Sequence, residues 1–114
     1  MSYDPTTYQT FHRNGDGYTS NTLDTFSLSP VYTIASVAKR LLIREKPVQL
    51  PEGYSLETLD QITWLTGSYG QEVHISARQA TEIAIIGRQL LEHYQNELSP
   101  LERSAINWLL HVVQ

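Results

Sequence analysis

Three serines stand where helices begin. In Ser99-Pro100-Leu101-Glu102 the Ser99 hydroxyl can accept the Glu102 N–H, and the Glu102 carboxylate can reach back to the Ser99 N–H. Pro100 has no N–H to lose at the first helical position. Ser76-Ala77-Arg78-Gln79 repeats this box with glutamine as the returning residue, and Ser29-Pro30 repeats the serine–proline pair. With the apolar periodicity that follows each start, the chain reads as a mainly α fold, a small four-helix domain over residues 29–114. Helices are predicted at about 30–45, 56–66, 77–97 and 100–113. Residues 1–28 form an irregular N-terminal arm that either holds a β-hairpin around 7–22, turning at Asn14-Gly15, or orders on a partner.

The faces of these helices predict the packing. Val31, Ile34, Ala35, Val37, Ala38, Leu41 and Leu42 share one side of the first helix, opposite Thr33, Arg40 and Arg44, and Pro47 and Pro51 end it. The second helix has a modest stripe of Leu56, Leu59 and Ile62. Trp64 falls off that stripe, towards a second contact or the surface, and Gly67 stands where a left-handed terminator belongs. Residues 67–75 read as a loop, extended in part at 73–75. The third helix has the widest apolar arc and is expected to be the hub. Ala80, Ala84 and Gly87 align within it, and a mid-helix glycine costs about 1 kcal/mol, so a close helix crossing is expected there. Leu101, Ala105, Trp108, Leu109 and Val112 face inward from the last helix.

Several chemistries are excluded or disfavoured. The chain has no cysteine, which removes disulfides, thiolate metal sites and a cysteine nucleophile. Its four histidines, His12, His74, His93 and His111, follow no paired-ligand spacing, and no nucleophile elbow is present. No catalytic residue, metal or cofactor is therefore expected, although His74 and Glu72 could join a dispersed site formed in three dimensions. Residues 66–70 read as a helix end and turn and not as a phosphate loop, since they lack the P-loop lysine. Asn14-Gly15-Asp16-Gly17 resembles the middle of an EF-hand calcium loop. His12 and Leu23 then occupy the positions that need carboxylates, which favours a plain turn. No apolar run approaches the ~18 residues that span a bilayer, and the first residues have no signal-peptide pattern, so a cytoplasmic protein is expected.

The remaining hypotheses concern surfaces. Lys39, Arg40, Arg44 and Lys46 cluster within 29–50, whereas 51–76 holds Glu52, Glu57, Asp60 and Glu72 without a cation. Such segregation points to pairing within the chain or between subunits before it points to nucleic acid. Seven tyrosines and two tryptophans supply interface anchors. The first expectation is a non-enzymatic protein–protein interaction module: an adaptor, a regulator, or an inhibitor of a larger, basic, nucleic-acid-handling partner. Its candidate surface is Tyr8, Phe11, Tyr18, Lys39, Arg40, Arg44 and Lys46. The alternative is a DNA-binding regulator. Residues 53–57 resemble the start of a MerR-type helix, and 76–81 resemble the opening of a recognition helix in helix-turn-helix proteins. That resemblance implies a reading unit within 56–90, with Arg78, Gln79 and Arg88 as contacts. A third reading is an enzyme with a dispersed site. Self-association into a homodimer is also expected, through the wide arc of the third helix.

Overall fold

The computed structural model describes residues 11–15, 17–21, 30–67 and 72–113. The element order is β1 (Phe11–Asn14), β2 (Gly17–Asn21), α1 (Pro30–Ile43), α2 (Leu56–Thr66), β3 (Glu72–Ser76), α3 (Ala77–His93) and α4 (Pro100–Val112). A single 3-10 turn at Gln95–Glu97 precedes α4. The fold is mainly α with a small antiparallel sheet, as the periodicity predicts.

Serine caps account for the helix starts. At α4 the box is complete: the Glu102 N–H donates to Ser99 Oγ at 3.1 Å, and the Ser99 N–H donates to Glu102 Oε1 at 2.8 Å. At α2 the reciprocal partner of Ser55 is Thr58, whose Oγ1 accepts the Ser55 N–H at 3.1 Å. Ser76 accepts the Gln79 N–H at 3.0 Å while also ending β3. Pro30 opens α1, and Ser29 lies outside the described residues.

The helix ends depart from the sequence reading. α1 stops at Ile43, two residues before the predicted 45. The Lys46 N–H bonds to the Leu41 carbonyl and the Glu45 N–H to the Leu42 carbonyl, both at 2.9 Å. This is a Schellman closure with Glu45 in the left-handed position, at φ 62°. Gly67 was expected to take that conformation at the end of α2, but its φ is −95°. It serves close approach instead, because a Cβ there would stand 2.8 Å from a Tyr32 ring carbon and 2.9 Å from the Thr63 carbonyl oxygen. α3 ends at His93, short of 97, where Tyr94 caps it and the 3-10 turn begins.

The hairpin is present and has a third strand. β1 pairs antiparallel with β2, with Asn14 opposite Gly17 and Gly15 at a positive φ of 62°. β3, read in sequence largely as loop, pairs antiparallel with the other side of β2. The register sets Tyr18 opposite Ile75, and both are buried in the same cluster as the helices.

The hub is α1 and not α3. α1 packs against each of the other three helices, whereas α3 packs against α1, α4 and strands β2 and β3. Burial therefore runs almost around α1 and takes in Thr33, which the helical wheel placed on its polar side. Ala80, Ala84 and Gly87 are buried as expected, and a Cβ on Gly87 would come within 2.9 Å of Ile34 and 3.0 Å of Ile106. The absence of that Cβ lets α3 approach α1 and α4 together.

Candidate functional site

The outward face of α2 carries the most exposed of the large apolar side chains among the described residues. Its inward residues, Leu59, Ile62, Thr63 and Thr66, are buried. The two threonines satisfy their hydroxyls within the helix: Thr63 Oγ1 donates to the Asp60 carbonyl at 2.8 Å, and Thr66 Oγ1 to the Ile62 carbonyl at 2.7 Å. That turns Glu57, Asp60, Gln61, Trp64 and Leu65 to solvent, at spacings of three and four residues along one face. Trp64 is 76% exposed and Leu65 43%. Negative charge sits at the N-terminal end of this face and large apolar side chains at the other. α2 contains no Lys or Arg.

α1 supports this face in antiparallel register. Lys39 Nζ donates to Asp60 Oδ1 at 2.7 Å, and Tyr32 lies against Gly67 two turns further along. By the same register Ile43, 62% exposed, is level with Leu56 at the start of α2. The α1–α2 seam therefore has an apolar pair at one end, an ion pair at its middle and an aromatic edge at the other end. Beside this seam, between α1 and the start of α4, a depression of about 160 Å³ is lined by Tyr32, Thr33, Ser36, Ser99, Leu101 and Glu102. That is below the ~300 Å³ of ordinary small-ligand sites.

The basic cluster does not stand as an open patch. Lys39 pairs with Asp60, Arg40 Nη1 lies 3.4 Å from Glu102, and Lys46 lies 3.8 Å from Glu97. Arg44 is exposed. The positive segment is thus drawn onto acidic residues of its own chain, Asp60 among them. Tyr18, in the candidate surface, takes the other role open to a tyrosine of the arm, a strand-borne cover over the helices: it is 2% exposed, because pairing with β3 turns it onto the helical core. Phe11 lies in β1, and Tyr8 lies outside the described residues.

The residues named for DNA reading are dispersed by the fold. Arg78 and Gln79 lie in the first turn of α3, Arg78 within 3.6 Å of Glu82, and Arg88 is exposed nearly three turns later. β3 stands between α2 and α3 and runs directly into α3 at Ser76, so 56–90 is not a helix-turn-helix unit. Alternating Val73 and Ile75 go into a sheet ladder where the motif needs a tight turn.

Elsewhere among the described residues, polar side chains tie segments of the fold together. Tyr54 donates its hydroxyl to Glu82 Oε1 at 3.1 Å. Partial burial, then the Glu82 charge and this bond, hold the phenol well above the usual tyrosine range, while Arg78 pulls weakly the other way. The Gln89 side-chain amide clasps the Gln49 backbone through two bonds of 2.8 and 2.9 Å, and the Tyr94 hydroxyl reaches the Pro47 carbonyl at 2.5 Å. Together these three side chains strap the proline-containing 44–55 connection to α3. His74 is exposed, its Nδ1 3.2 Å from Thr19 Oγ1, and His93 and His111 are exposed as well. Tyr69 lies outside the described residues.

Among the described residues no three His, Asp or Glu side chains gather as a metal site, and no helix is long and apolar enough to cross a membrane. The α2 face was partly legible in the sequence, through Trp64 off its stripe and the cation-free stretch around it. What was missing was the alignment of both on one face. No family model, curated protein or solved structure matches this chain.

Proposed function

We propose that this chain is a non-enzymatic protein–protein interaction module that presents the outward face of α2 to its partner. The observation that carries the reading is Trp64, 76% exposed on an ordered helix beside Leu65 and two carboxylates. An indole held in water is an unusual expense of apolar surface for a chain that folds around its own core, and tryptophan is among the residues that most often anchor interfaces. Glu57 and Asp60 on the same face favour a partner whose apolar cleft is edged by Lys and Arg. Asp60 is partly neutralised by Lys39, which leaves Glu57 as the principal steering charge.

The test is quantitative affinity capture from the native host, with wild type, Trp64→Glu, Glu57→Lys and, as a control elsewhere on the surface, Asn107→Ala. The reading expects one partner set that survives Asn107→Ala and weakens at least about tenfold with Trp64→Glu. Glu57→Lys weakens it in a salt-dependent way. Identical capture by all four proteins would contradict the proposal. So would salt-sensitive binding of the chain to duplex DNA that needs Arg78 and Arg88 and ignores Trp64.

A further inference from the structure

A second surface lies on the outward side of α3. Ile85 is 58% exposed at its centre, one turn or more from any other large apolar residue exposed on that helix. It forms a ridge between two shallow depressions, each about 370 Å³. One is edged by Ala84, Leu110 and Val113, the other by Leu50, Pro51 and His93.

The charges around this ridge follow a pattern. Along the face, Arg78 precedes Ile85 by seven residues and Glu92 follows it by seven. Turned end for end about Ile85, Arg78 meets Glu92 of the second copy and Glu92 meets its Arg78. Both lie within about 20° of Ile85 on a helix that advances 100° per residue. Glu82, nearer to Ile85, is held within its own chain by Tyr54 and Arg78. Arg78 has 88% of its side chain in solvent, and Arg88 and Glu92 are exposed.

From this symmetry we infer that the partner of the α3 face is a second copy of the same chain, docked antiparallel about a two-fold axis at Ile85. A two-fold contact must be self-complementary, each residue meeting its mate's counterpart. This face has that property in charge. The axis sets the two Ile85 side chains against each other, where each covers the other's exposed surface. The contact is independent of the α2 face. Homodimerisation was expected from the breadth of the apolar arc on α3, but that arc is buried within the monomer. What remains for a dimer is the narrower strip around Ile85. From residue 78 to 92 the strip is about 21 Å long, which buries on the order of 400 Å² per copy. That area sits at the low end for specific contacts, so the dimer is weak and salt-sensitive.

Sedimentation over a concentration series tests this with three variants of the full chain. Wild type is expected to pass from monomer (13.0 kDa) to dimer between about 10 µM and about 1 mM, less readily as salt rises. Ile85→Asp should raise the dissociation constant at least about tenfold. Arg78→Glu sets Glu against Glu92 twice, and Glu92→Arg sets Arg against Arg78 twice, so each alone should be monomeric. Mixed together they should form a heterodimer, because both opposed pairs are then of unlike sign. A wild type that stays monomeric throughout overturns the inference. A dimer indifferent to Ile85→Asp, or single-charge variants that do not associate when mixed, overturns it as well.

Discussion

Glu45 closes α1 in a backbone conformation that costs an L side chain about 1 kcal/mol. Pro47 is the reason the chain turns here: the helix cannot continue into it, and the Leu41 and Leu42 carbonyls are satisfied by turning back at Glu45. Glu45→Gly is therefore expected to raise the unfolding free energy by up to about 1 kcal/mol, read as an increase of a few degrees in Tm. A lower Tm would show that Glu45 contributes something beyond its backbone. Tyr54 gives a second test. Its folded phenol is held above the ordinary value near 10, so the unfolded chain loses this proton first as pH rises. The corresponding stability is present below about pH 10 and is lost progressively above it. Tyr54→Phe should flatten the alkaline limb of a stability–pH curve relative to wild type, and unchanged limbs would refute the assignment. Neither residue was legible beforehand. The serine caps were, because a cap is settled within four residues of chain. The Glu45 closure depended on carbonyls left behind by the helix, and the state of Tyr54 depends on a carboxylate 28 residues away.

Among the elements, the α3 crossing was the most legible and the sheet the least. Gly87 on the apolar arc announced a close approach, and Ile34 and Ile106 fill the space that its side chain would need. Gly87→Ala gains about 1 kcal/mol of helix propensity but forces those two side chains to shift, at a cost of about 1–3 kcal/mol. A net loss of stability is expected in denaturant titration, and a net gain would mean that the crossing has slack. β3 was hidden because its five residues matter only through a partner more than fifty positions earlier, Ile75 against Tyr18. The same pairing explains why Tyr18 is buried and why α1, not α3, is central: α3 commits one side to the sheet and so touches fewer helices. The 44–55 connection is likewise invisible in local propensity, since Gln49, Pro47 and Tyr54 are held by side chains of α3 and its cap. Gln89→Ala removes both bonds to Gln49. It should speed hydrogen exchange in 47–51 by about tenfold, with little effect on α1; unaltered exchange would count against the clasp.

At the scale of the molecule, the fold turns much of its basic segment onto its own carboxylates. Lys39, Arg40 and Lys46 lie within 4 Å of Asp60, Glu102 and Glu97 of the same chain, and Arg44 stays exposed. What the folded chain offers outward is an acidic and aromatic ridge on α2 and a charge-symmetric strip on α3. The partner proposed for the first is a basic, cleft-bearing protein, and for the second another copy of the chain. The account stands most heavily on Trp64 being open to water until a partner covers it. Acrylamide quenching of Trp64 fluorescence in a Trp108→Phe background, for the chain alone and with the protein that wild type captures, measures this directly. The account predicts quenching near that of a solvent-exposed indole in the isolated chain and strong protection in the complex. An indole already shielded in the isolated chain, or one quenched equally in the complex, would contradict it.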